Sequence, residues 1–281
     1  MPELPEVETL RLELAPVLIN ARFKSVQVSW PKSVRPLSGA RFARVLQGRR
    51  IIGLERQAKV LLFKLDNSET LAIHLKMTGQ LIYVGSEKTI NGGHPEDLAK
   101  YTRVVFSFAD GSILKFNDLR KFGWLKILDT ADYQVLTAKH GLEPLSSEFS
   151  FENFMRALKR YPNRKLKAAL LDQTLIAGLG NIYADESCFA ADLLPTRQVK
   201  TLKPAELKKL HAAIKRILKL AVAKGGTSVR DYRRSDGNPG GFTRLLKVYG
   251  RAGTRCEKCH TPIVKIKLAS RGTHYCPKCQ R

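Results

Sequence analysis

Cysteine is scarce and unevenly placed in this sequence: four of its five cysteines fall within the last 26 residues. Long apolar runs are missing too, since no stretch approaches the roughly 18 uninterrupted apolar residues of a membrane-spanning helix. The opening, MPELPEVETL, lacks a basic segment followed by an apolar one, so it is not a signal peptide. These features exclude a membrane-spanning helix and favour a metal site over a disulfide framework. They predict a cytoplasmic protein, associated with the nucleoid if the source is bacterial.

Acidic residues are also few: 25 Asp and Glu stand against 49 Lys and Arg, which gives a formal net charge of +24. Folding does not require such an excess, so we expect a polyanionic partner, of which nucleic acid is the commonest. A basic protein of the membrane surface is the alternative. It should carry a strongly amphipathic basic helix or a lipidation signal, and neither end of the chain shows one.

With 43% hydrophobic and 26% charged residues over 281 positions, the chain is globular and long enough for two domains or one large one. A helix is predicted from Pro5 to Leu18, and Pro16 should kink or shorten its end. Short β-rich runs separated by turn signals then extend from Lys24 to Leu128. Such spacing is typical of an antiparallel sandwich or barrel.

The second half of the sequence is helical in pattern. We predict helical segments at residues 151–161, 165–172, 181–191 and 204–224. Loops are predicted at residues 89–100 and at the glycine-rich, charged residues 225–244. Cys188 stands apart from the other cysteines and is predicted to be a buried apolar thiol.

The clustered cysteines form two CxxC pairs separated by sixteen residues: Cys256 with Cys259, and Cys276 with Cys279. Two such pairs supply four thiolates to one tetrahedral Zn²⁺. Because four cysteine ligands leave no open coordination position, we expect the ion to be structural.

Between the two pairs, the sequence TPIVKIKLASRGTHY alternates like a β-hairpin. Lys265, Lys267 and Arg271 should project from this ribbon, as a contact with nucleic acid requires.

The start of the chain carries a possible nucleophile. Glu3, Glu6 and Glu8 crowd the first residues, and the simplest interpretation is acids favoured at a helix N-terminus. Pro2, however, follows Met1 directly, and removal of Met1 would expose a secondary amine with a pKa near ~8. Such an amine attacks a carbon at the aldehyde oxidation level and forms an iminium ion, while Glu3 moves protons. If Met1 is retained, this chemistry is blocked.

Several segments, in this order, resemble the bacterial formamidopyrimidine-DNA glycosylase family and span essentially the whole chain. They are MPELPEVET at the start, HLKMTG at 74–79, DLRKFG at 118–123, GLGNIYADE at 178–186 and the terminal C-x2-C-x16-C-x2-C. The start PELPEVE favours this family over the related endonuclease VIII, whose start usually reads PEGPE.

The resemblance implies a multidomain α+β protein with DNA in the cleft between its domains. An N-terminal catalytic domain, an antiparallel β-sandwich with flanking helices, is expected at residues 1–130. A helical DNA-binding domain with a helix–two-turn–helix motif should follow at 131–248, including a lesion-capping loop at about 225–244. The β-hairpin zinc ribbon should occupy residues 249–281.

The resemblance also implies catalytic roles. Pro2 looks like the nucleophile that attacks C1′ of the damaged nucleotide, with Glu3 as general acid/base and Glu6 in support. Lys59, in RQAKVLLF, falls at the family's catalytic lysine, which is assigned to proton transfer in β-elimination. Taken without the family, it would be a solvated strand lysine. Arg271, in SRGTHYC, matches the ribbon arginine that binds phosphate and assists δ-elimination.

A duplex base must be flipped out before it can be attacked, and the gap must then be filled. Three residues match the family's intercalating set. Met77 matches the apolar plug, Arg120 the polar partner of the base left without its pair, and Phe122 the wedge between base pairs. Core packing is the alternative for Met77 and Phe122. Further phosphate contacts, matched to the family or suggested by residue type, are predicted at His74, Arg164, Lys167, Asn181, Tyr249 and Lys265.

Two other segments bear on DNA binding. Where many relatives carry a DNA-contacting histidine, this chain has Tyr101, which donates a hydrogen bond to phosphate but cannot carry an imidazolium charge. The segment from 227 to 232 matches the one that closes over the flipped base with its backbone amides. The residues predicted there are Thr227, Val229, Arg230, Asp231 and Tyr232.

The sequence therefore predicts a bifunctional DNA glycosylase and AP lyase of base excision repair. We expect it to act as a monomer on double-stranded DNA containing oxidised bases, with one structural Zn²⁺ and no organic cofactor. It should excise 8-oxoguanine and formamidopyrimidines and then cut the strand by β,δ-elimination. An endonuclease VIII-like enzyme for oxidised pyrimidines is one alternative. A non-catalytic zinc-ribbon DNA-binding protein is the other, although Pro2, Glu3 and Lys59 together argue against it.

Overall fold

The computed structural model describes residues 1–86 and 100–281, which divide into two compact units. Unit 1 comprises Met1–Ala138 and Lys224–Gly241, and unit 2 comprises Lys139–Ala223 and Phe242–Arg281. Within the described ranges, no helix combines the length and apolar character needed to cross a membrane. The loop predicted at residues 89–100 lies, apart from Lys100, outside the described residues. The domain limits inferred from the family motifs stay a prediction.

Unit 1 begins with helix α1 (Leu4–Leu18). A capping box between Glu3 and Glu6 opens the helix, and its predicted apolar face is fully buried. Pro16 does not shorten the helix, which continues to Leu18, and the predicted kink stays a prediction. A proline this close to the C-terminal end of the helix removes one N–H donor, and few helical hydrogen bonds remain to be formed after it.

Two four-stranded antiparallel sheets form the body of unit 1, which confirms the predicted sandwich. Their orders are β1-β6-β7-β5 and β2-β3-β4-β8. Side chains from both sheets and from α1 share one core. The strands are β1 (Phe23–Val28), β2 (Ile51–Gln57), β3 (Val60–Leu65), β4 (Thr70–His74), β5 (Gly79–Val84), β6 (Thr102–Phe108), β7 (Ile113–Asp118) and β8 (Trp124–Leu128).

Among the strands and α-helices that the structure describes in unit 1, those not predicted from the sequence are β2, α2 (Gly39–Leu46) and α3 (Thr130–Ala138). Strand β2 reads IIGLERQ, in which a glycine and two charges obscure the apolar alternation. It pairs with β3, whose VLLFKL sequence is buried at nearly every position. The neighbouring strand therefore determines β2 more than its own propensity does.

Unit 2 holds the predicted helices and the ribbon. Its helices are α4 (Phe151–Lys159), α5 (Leu166–Leu170), α6 (Asn181–Ala190) and α7 (Pro204–Ala223). Apolar side chains spaced three or four residues apart along α7 are buried in the helical core. Cys188 lies in the same core, where burial raises the pKa of its thiol, so its prediction is confirmed. A hairpin of β9 (Val264–Leu268) and β10 (Arg271–Tyr275) forms the ribbon.

Candidate active site

The carboxylate of Glu6 joins the start of the chain to a distant segment of unit 1. Its Oε2 accepts the N–H of Glu3 at 2.7 Å, and its Oε1 accepts the N–H of Thr227 at 2.7 Å. The hydroxyl of Tyr232 donates to the Glu6 carbonyl at 3.3 Å. Pro2, Glu3 and Glu6 are all buried. The tail that carries the predicted nucleophile is therefore held in place, and the predicted lesion segment lies against it.

Lys59 lies in a tight turn between β2 and β3, where it is 7% exposed. The solvated-strand alternative is therefore wrong. Arg56 donates to the carbonyl of Ala58, the other turn residue, at 3.0 Å, and to Glu8 of α1 at 2.9 Å. Burial acts to raise the pKa of Glu8, but the hydrogen bond from Arg11 and the charge of Arg56 hold it below its ordinary value. An ionic chain thus links α1 to the turn of Lys59.

Residues Lys224–Gly241, here called the capping segment, leave helix α7 and belong to unit 1. The N–H of Gly241 donates to the Lys224 carbonyl at 2.8 Å and closes the base of the segment. Gly226 has a φ of +79°, and a Cβ there would lie 3.0 Å from the Glu6 side chain, so glycine is required. Of the predicted lesion residues, Thr227 and Tyr232 are buried, Asp231 is half-buried, and Val229 and Arg230 are exposed.

Two loops, residues 75–78 and 119–123, carry the predicted intercalating side chains and are here called the wedge loops. Phe122 is 56% exposed, so its core-packing alternative is wrong. The guanidinium of Arg120 lies 4.9 Å from the centre of the Phe122 ring, a cation–π distance. Met77 is half-buried. All three residues lie in the wedge loops of unit 1, and their roles toward DNA stay predictions.

Asp118, at the end of β7, connects the two wedge loops. Its Oδ1 accepts the hydroxyl of Thr78 at 2.5 Å and the N–H of Arg120 at 3.2 Å. Its Oδ2 accepts the N–H of Gly123 at 2.7 Å. The side chain is 1% exposed. Sequence analysis missed this residue, although it is the first letter of the DLRKFG motif.

His74 is held in one orientation. Its Nδ1 accepts the N–H of Lys76 at 2.9 Å, which places the ring proton of neutral His74 on Nε2. The ring lies 5.5 Å from Trp124. Nε2–H is therefore the donor of the neutral ring, and the contact with phosphate stays a prediction. Tyr101 is half-buried, with the ammonium of Lys100 5.2 Å from its ring.

The predicted phosphate contacts of unit 2 gather around α6 and the ribbon. Asn181 is the first residue of α6, and its Nδ2 donates to the Gly272 carbonyl at 3.0 Å. Buried Glu186 accepts the N–H of Tyr249 at 2.8 Å and so positions that residue. Arg271 and Lys265 are exposed. The turn before Arg271 has two residues of positive φ, Ala269 and Ser270.

The predicted phosphate contact of Lys167 is wrong, because its side chain is fully buried. Its Nζ lies 2.7 Å from Asp185 Oδ1 and donates to the Gly272 carbonyl and the Thr273 hydroxyl, each at 2.9 Å. Two of the three N–H donors of the ammonium are used by the Gly272 carbonyl and the Thr273 hydroxyl, and Asp185 supplies the counter-charge. Asp185 also accepts the N–H of His274 at 2.9 Å. Lys167 therefore holds the ribbon on the helices.

Arg164, another predicted contact, forms an ion pair with Asp172 at 2.5 Å and lies over the Tyr161 ring. Its role toward DNA stays a prediction.

The four clustered cysteines are arranged as metal ligands. Their sulfur atoms all lie within 4.8 Å of one another, with Cys256 and Cys279 at 3.9 Å and Cys259 and Cys276 at 3.4 Å. Tetrahedral zinc with Zn–S bonds of about 2.3 Å requires S–S separations of about 3.8 Å. Hydrogen bonds from Thr261 lower the pKa of Cys259 to about 6, which favours a thiolate at neutral pH. The site fits one structural zinc ion, as predicted.

Family models match three consecutive parts of the chain. Residues 1–125 match the formamidopyrimidine-DNA glycosylase N-terminal domain, and residues 140–233 match the H2TH domain of the same family. Residues 253–281 match the zinc finger found in FPG and IleRS.

Relatives match over the full length. The chain is 43% identical over 283 residues to a formamidopyrimidine-DNA glycosylase of Heliobacterium modesticaldum, and 43% over 285 residues to one of Geobacillus kaustophilus, with 100% of each chain covered. A crystal structure of MutM (FPG) from Thermus thermophilus superimposes with a TM-score of 0.85 at 40% identity, covering 99% of this chain and 98% of that one. Lactococcus lactis Fpg bound to DNA with an abasic site gives 0.86 at 34% identity, with 99% of both chains covered.

Sandwich, helical domain and zinc finger together define a DNA glycosylase of base excision repair. The chain belongs to the formamidopyrimidine-DNA glycosylase family. Besides Asp118, the sequence did not predict a role for Gln80 or Glu13, both of which contact the capping segment.

Proposed function

We propose that this DNA glycosylase removes oxidised purines, chiefly 8-oxoguanine and formamidopyrimidines, and acts as a monomer on nucleoid DNA in the bacterial cytoplasm. The observation that carries the proposal is the Glu6 carboxylate, which holds both the Glu3 N–H of the tail and the Thr227 N–H of the capping segment. A nucleophile and a lesion-binding segment are thereby brought to one carboxylate. A complex of a Lactococcus lactis Fpg mutant with Fapy-dG DNA supports the substrate class.

Base excision starts at Pro2. Once Met1 is removed, the secondary amine of Pro2 attacks C1′ of the flipped nucleotide. The glycosidic bond breaks, and its electron pair leaves with the base, which is then protonated. Loss of the amine proton and opening of the sugar leave an iminium ion between Pro2 and C1′. Glu3, buried beside Pro2, moves the protons of these steps.

Strand cleavage then follows from the iminium ion. Removal of a proton from C2′ breaks the bond between C3′ and the 3′ phosphate, which is the β-elimination. We assign this proton transfer to Lys59, which the turn between β2 and β3 holds in a buried position. A second elimination releases the 5′ phosphate. Arg271, exposed at the start of β10, binds phosphate and assists this δ-elimination.

The wedge loops serve base flipping. Met77 fills the space that the flipped base leaves, Arg120 pairs with the widowed base, and Phe122 enters between base pairs. The backbone amides of residues 229–232 bind the flipped base. Phosphates are bound by side chains of both units: His74, Tyr101, Arg164, Asn181, Tyr249 and Lys265. Zinc, held by the four cysteines, stabilises the ribbon.

Borohydride trapping on an 8-oxoguanine duplex tests this proposal. Borohydride reduces the iminium ion, so protein and DNA should become covalently linked, with peptide mapping placing the link at Pro2. The N-terminal sequence of the active enzyme should begin at Pro2. Pro2→Gly should trap more slowly, because a primary amine forms the iminium ion less directly. A link at an internal lysine would refute the assignment of Pro2.

Oxidised pyrimidines are the second candidate substrate. Wild-type Lactococcus lactis Fpg, 34% identical to this chain, has been solved with DNA containing an oxidised pyrimidine. Single-turnover excision from 8-oxoguanine and thymine-glycol duplexes separates the candidates. Faster release of 8-oxoguanine supports the purine proposal, and faster release of thymine glycol overturns it.

A further inference from the structure

Helix α1 holds the capping segment through a second acid, Glu13. Its Oε1 accepts the Nε–H of Arg234 at 2.6 Å. Its Oε2 accepts both the N–H and the hydroxyl of Ser235, each at 2.9 Å. One carboxylate therefore fixes two successive residues that lie just after the predicted lesion residues.

Arg234 extends this contact to the other end of the same segment. A Cβ on Gly225 would lie 3.0 Å from Cδ and 3.3 Å from Nε of Arg234, so the arginine side chain lies close against Gly225, near the start of the segment. The hydrogen bond that Arg234 donates to the Glu13 carboxylate raises the pKa of Arg234, so the guanidinium stays charged. Glu13 and Arg234 thus form a clamp, which holds together the residues that flank the predicted lesion residues on both sides.

Strand β5 adds contacts on the same stretch. The Nε2 of buried Gln80 donates to the Asp231 carbonyl, and the N–H of Tyr83 donates to the Ser235 carbonyl at 2.8 Å. The N–H of Thr227 also donates to Glu6. Residues 227–235 are therefore held at both ends, while Val229 between them is exposed.

We infer that Glu13 is a positioning residue that shapes the capping segment before DNA binds and so contributes to selectivity for the flipped base. Hydrogen-bond donors that are already oriented need no reorganisation when the base arrives. A segment that must first be ordered binds more weakly, because its competent state is only fractionally populated. The inference rests on the proposed role of residues 227–232 in binding the base.

Glu13→Gln tests the inference in the full-length, zinc-loaded enzyme. Glutamine keeps one carbonyl acceptor but presents an NH₂ group to the remaining donors, so the clamp is weakened with little change of volume. Arg234→Gln breaks the same contact from the other side, should Glu13→Gln impair folding. Glu55→Gln is the control, since Glu55 also forms an ion pair in unit 1, with Lys64, away from the capping segment.

The first readout is amide hydrogen exchange of DNA-free protein over residues 227–235. We expect exchange there to rise about tenfold in Glu13→Gln and to match wild type in the control, as loss of a charged hydrogen bond implies. The second readout is single-turnover kinetics. Excision of 8-oxoguanine should slow about tenfold, whereas cleavage at a preformed abasic site, which has no base to bind, should change less than about twofold.

Unchanged exchange in both clamp variants would overturn the inference, and so would equal losses on the two substrates, which indicate a purely structural role. Failure of the proposed function looks different. In that case wild-type enzyme does not excise 8-oxoguanine at all, while the exchange measurement still reports whether Glu13 orders the segment.

Discussion

Replacing Lys167 with methionine tests whether this lysine stabilises unit 2 or contacts DNA. Lys167 and Asp185 are both fully buried, and their charged atoms lie 2.7 Å apart. Methionine fills most of the volume but leaves the Asp185 carboxylate without its counter-charge. Removal of one partner from a buried ion pair costs about 3–5 kcal/mol. We therefore expect Lys167→Met to lower the free energy of unfolding of unit 2 by that amount.

A double mutant isolates the ion pair from the packing. Asn at position 185 keeps a carbonyl that accepts the N–H of His274 and carries no charge to leave unpaired. Lys167→Met with Asp185→Asn should therefore be more stable than Lys167→Met alone, by about 1–3 kcal/mol. As a control, Lys209→Met breaks an exposed ion pair with Asp192 and should cost about 1 kcal/mol or less.

Urea denaturation and hydrogen exchange over α5, α6 and β10 measure these changes, and DNA binding at several salt concentrations supplies the contrasting readout. A phosphate contact contributes about −0.9 to the log–log slope of affinity against salt. Our argument would be refuted if Lys167→Met flattened that slope by about 0.9 while stability stayed within about 1 kcal/mol of wild type. An unchanged slope with a large loss of stability supports the structural role.

Three shorter predictions follow. Chelation of zinc, or Cys256→Ser, should unfold the ribbon and abolish DNA binding, because thiolate–zinc bonds supply most of the ribbon's folding free energy. Unit 1 should keep its circular dichroism. Full DNA affinity without zinc would contradict this prediction. Glu8→Gln should destabilise unit 1 by about 1 kcal/mol at pH 7. Because the folded pKa of Glu8 is lowered, that difference should shrink in urea titrations as the pH falls below its unfolded value of about 4.3. Met77→Ala should slow 8-oxoguanine excision without changing the salt slope; a flattened slope would argue against an apolar plug.

Local signals account for what the sequence predicts well. Helix α7 shows an apolar residue every three to four positions, and the corresponding side chains are buried. The spacing of the four cysteines is itself the metal signal. Lys59 and Arg271, by contrast, become catalytic candidates only through the family resemblance. The sandwich needs only alternating strands and turns, which the sequence shows for all strands except β2.

Long-range pairing accounts for what the sequence does not predict. Lys167 looks like any other lysine until its partner at Thr273, 106 positions later, is known. Glu13 and Ser235 are separated by 222 positions, and nothing at either site marks the contact. Lys59 lies in a turn that Arg56 connects to α1, and no local pattern indicates that connection.

Asp118 offers a test of whether the wedge loops act together. Asp118→Asn keeps one acceptor but turns an NH₂ group toward Gly123 N–H or toward the donors at Thr78 and Arg120, so one tie between the loops is lost. Asp129→Asn is the control, because Asp129 accepts a backbone N–H at the exposed start of α3.

If the loops work as one body, weakening Asp118 should disturb the plug, the base partner and the wedge at once. Single-turnover excision of 8-oxoguanine should then fall about tenfold, the scale set by loss of a charged hydrogen bond, while a preformed abasic site is cut with a smaller loss. Dependence on the opposite base should also weaken, since Arg120 loses the bond that fixes its backbone. Equal losses on both substrates, with opposite-base dependence intact, would mean that Asp118 only stabilises the sheet and that each loop positions its own side chains.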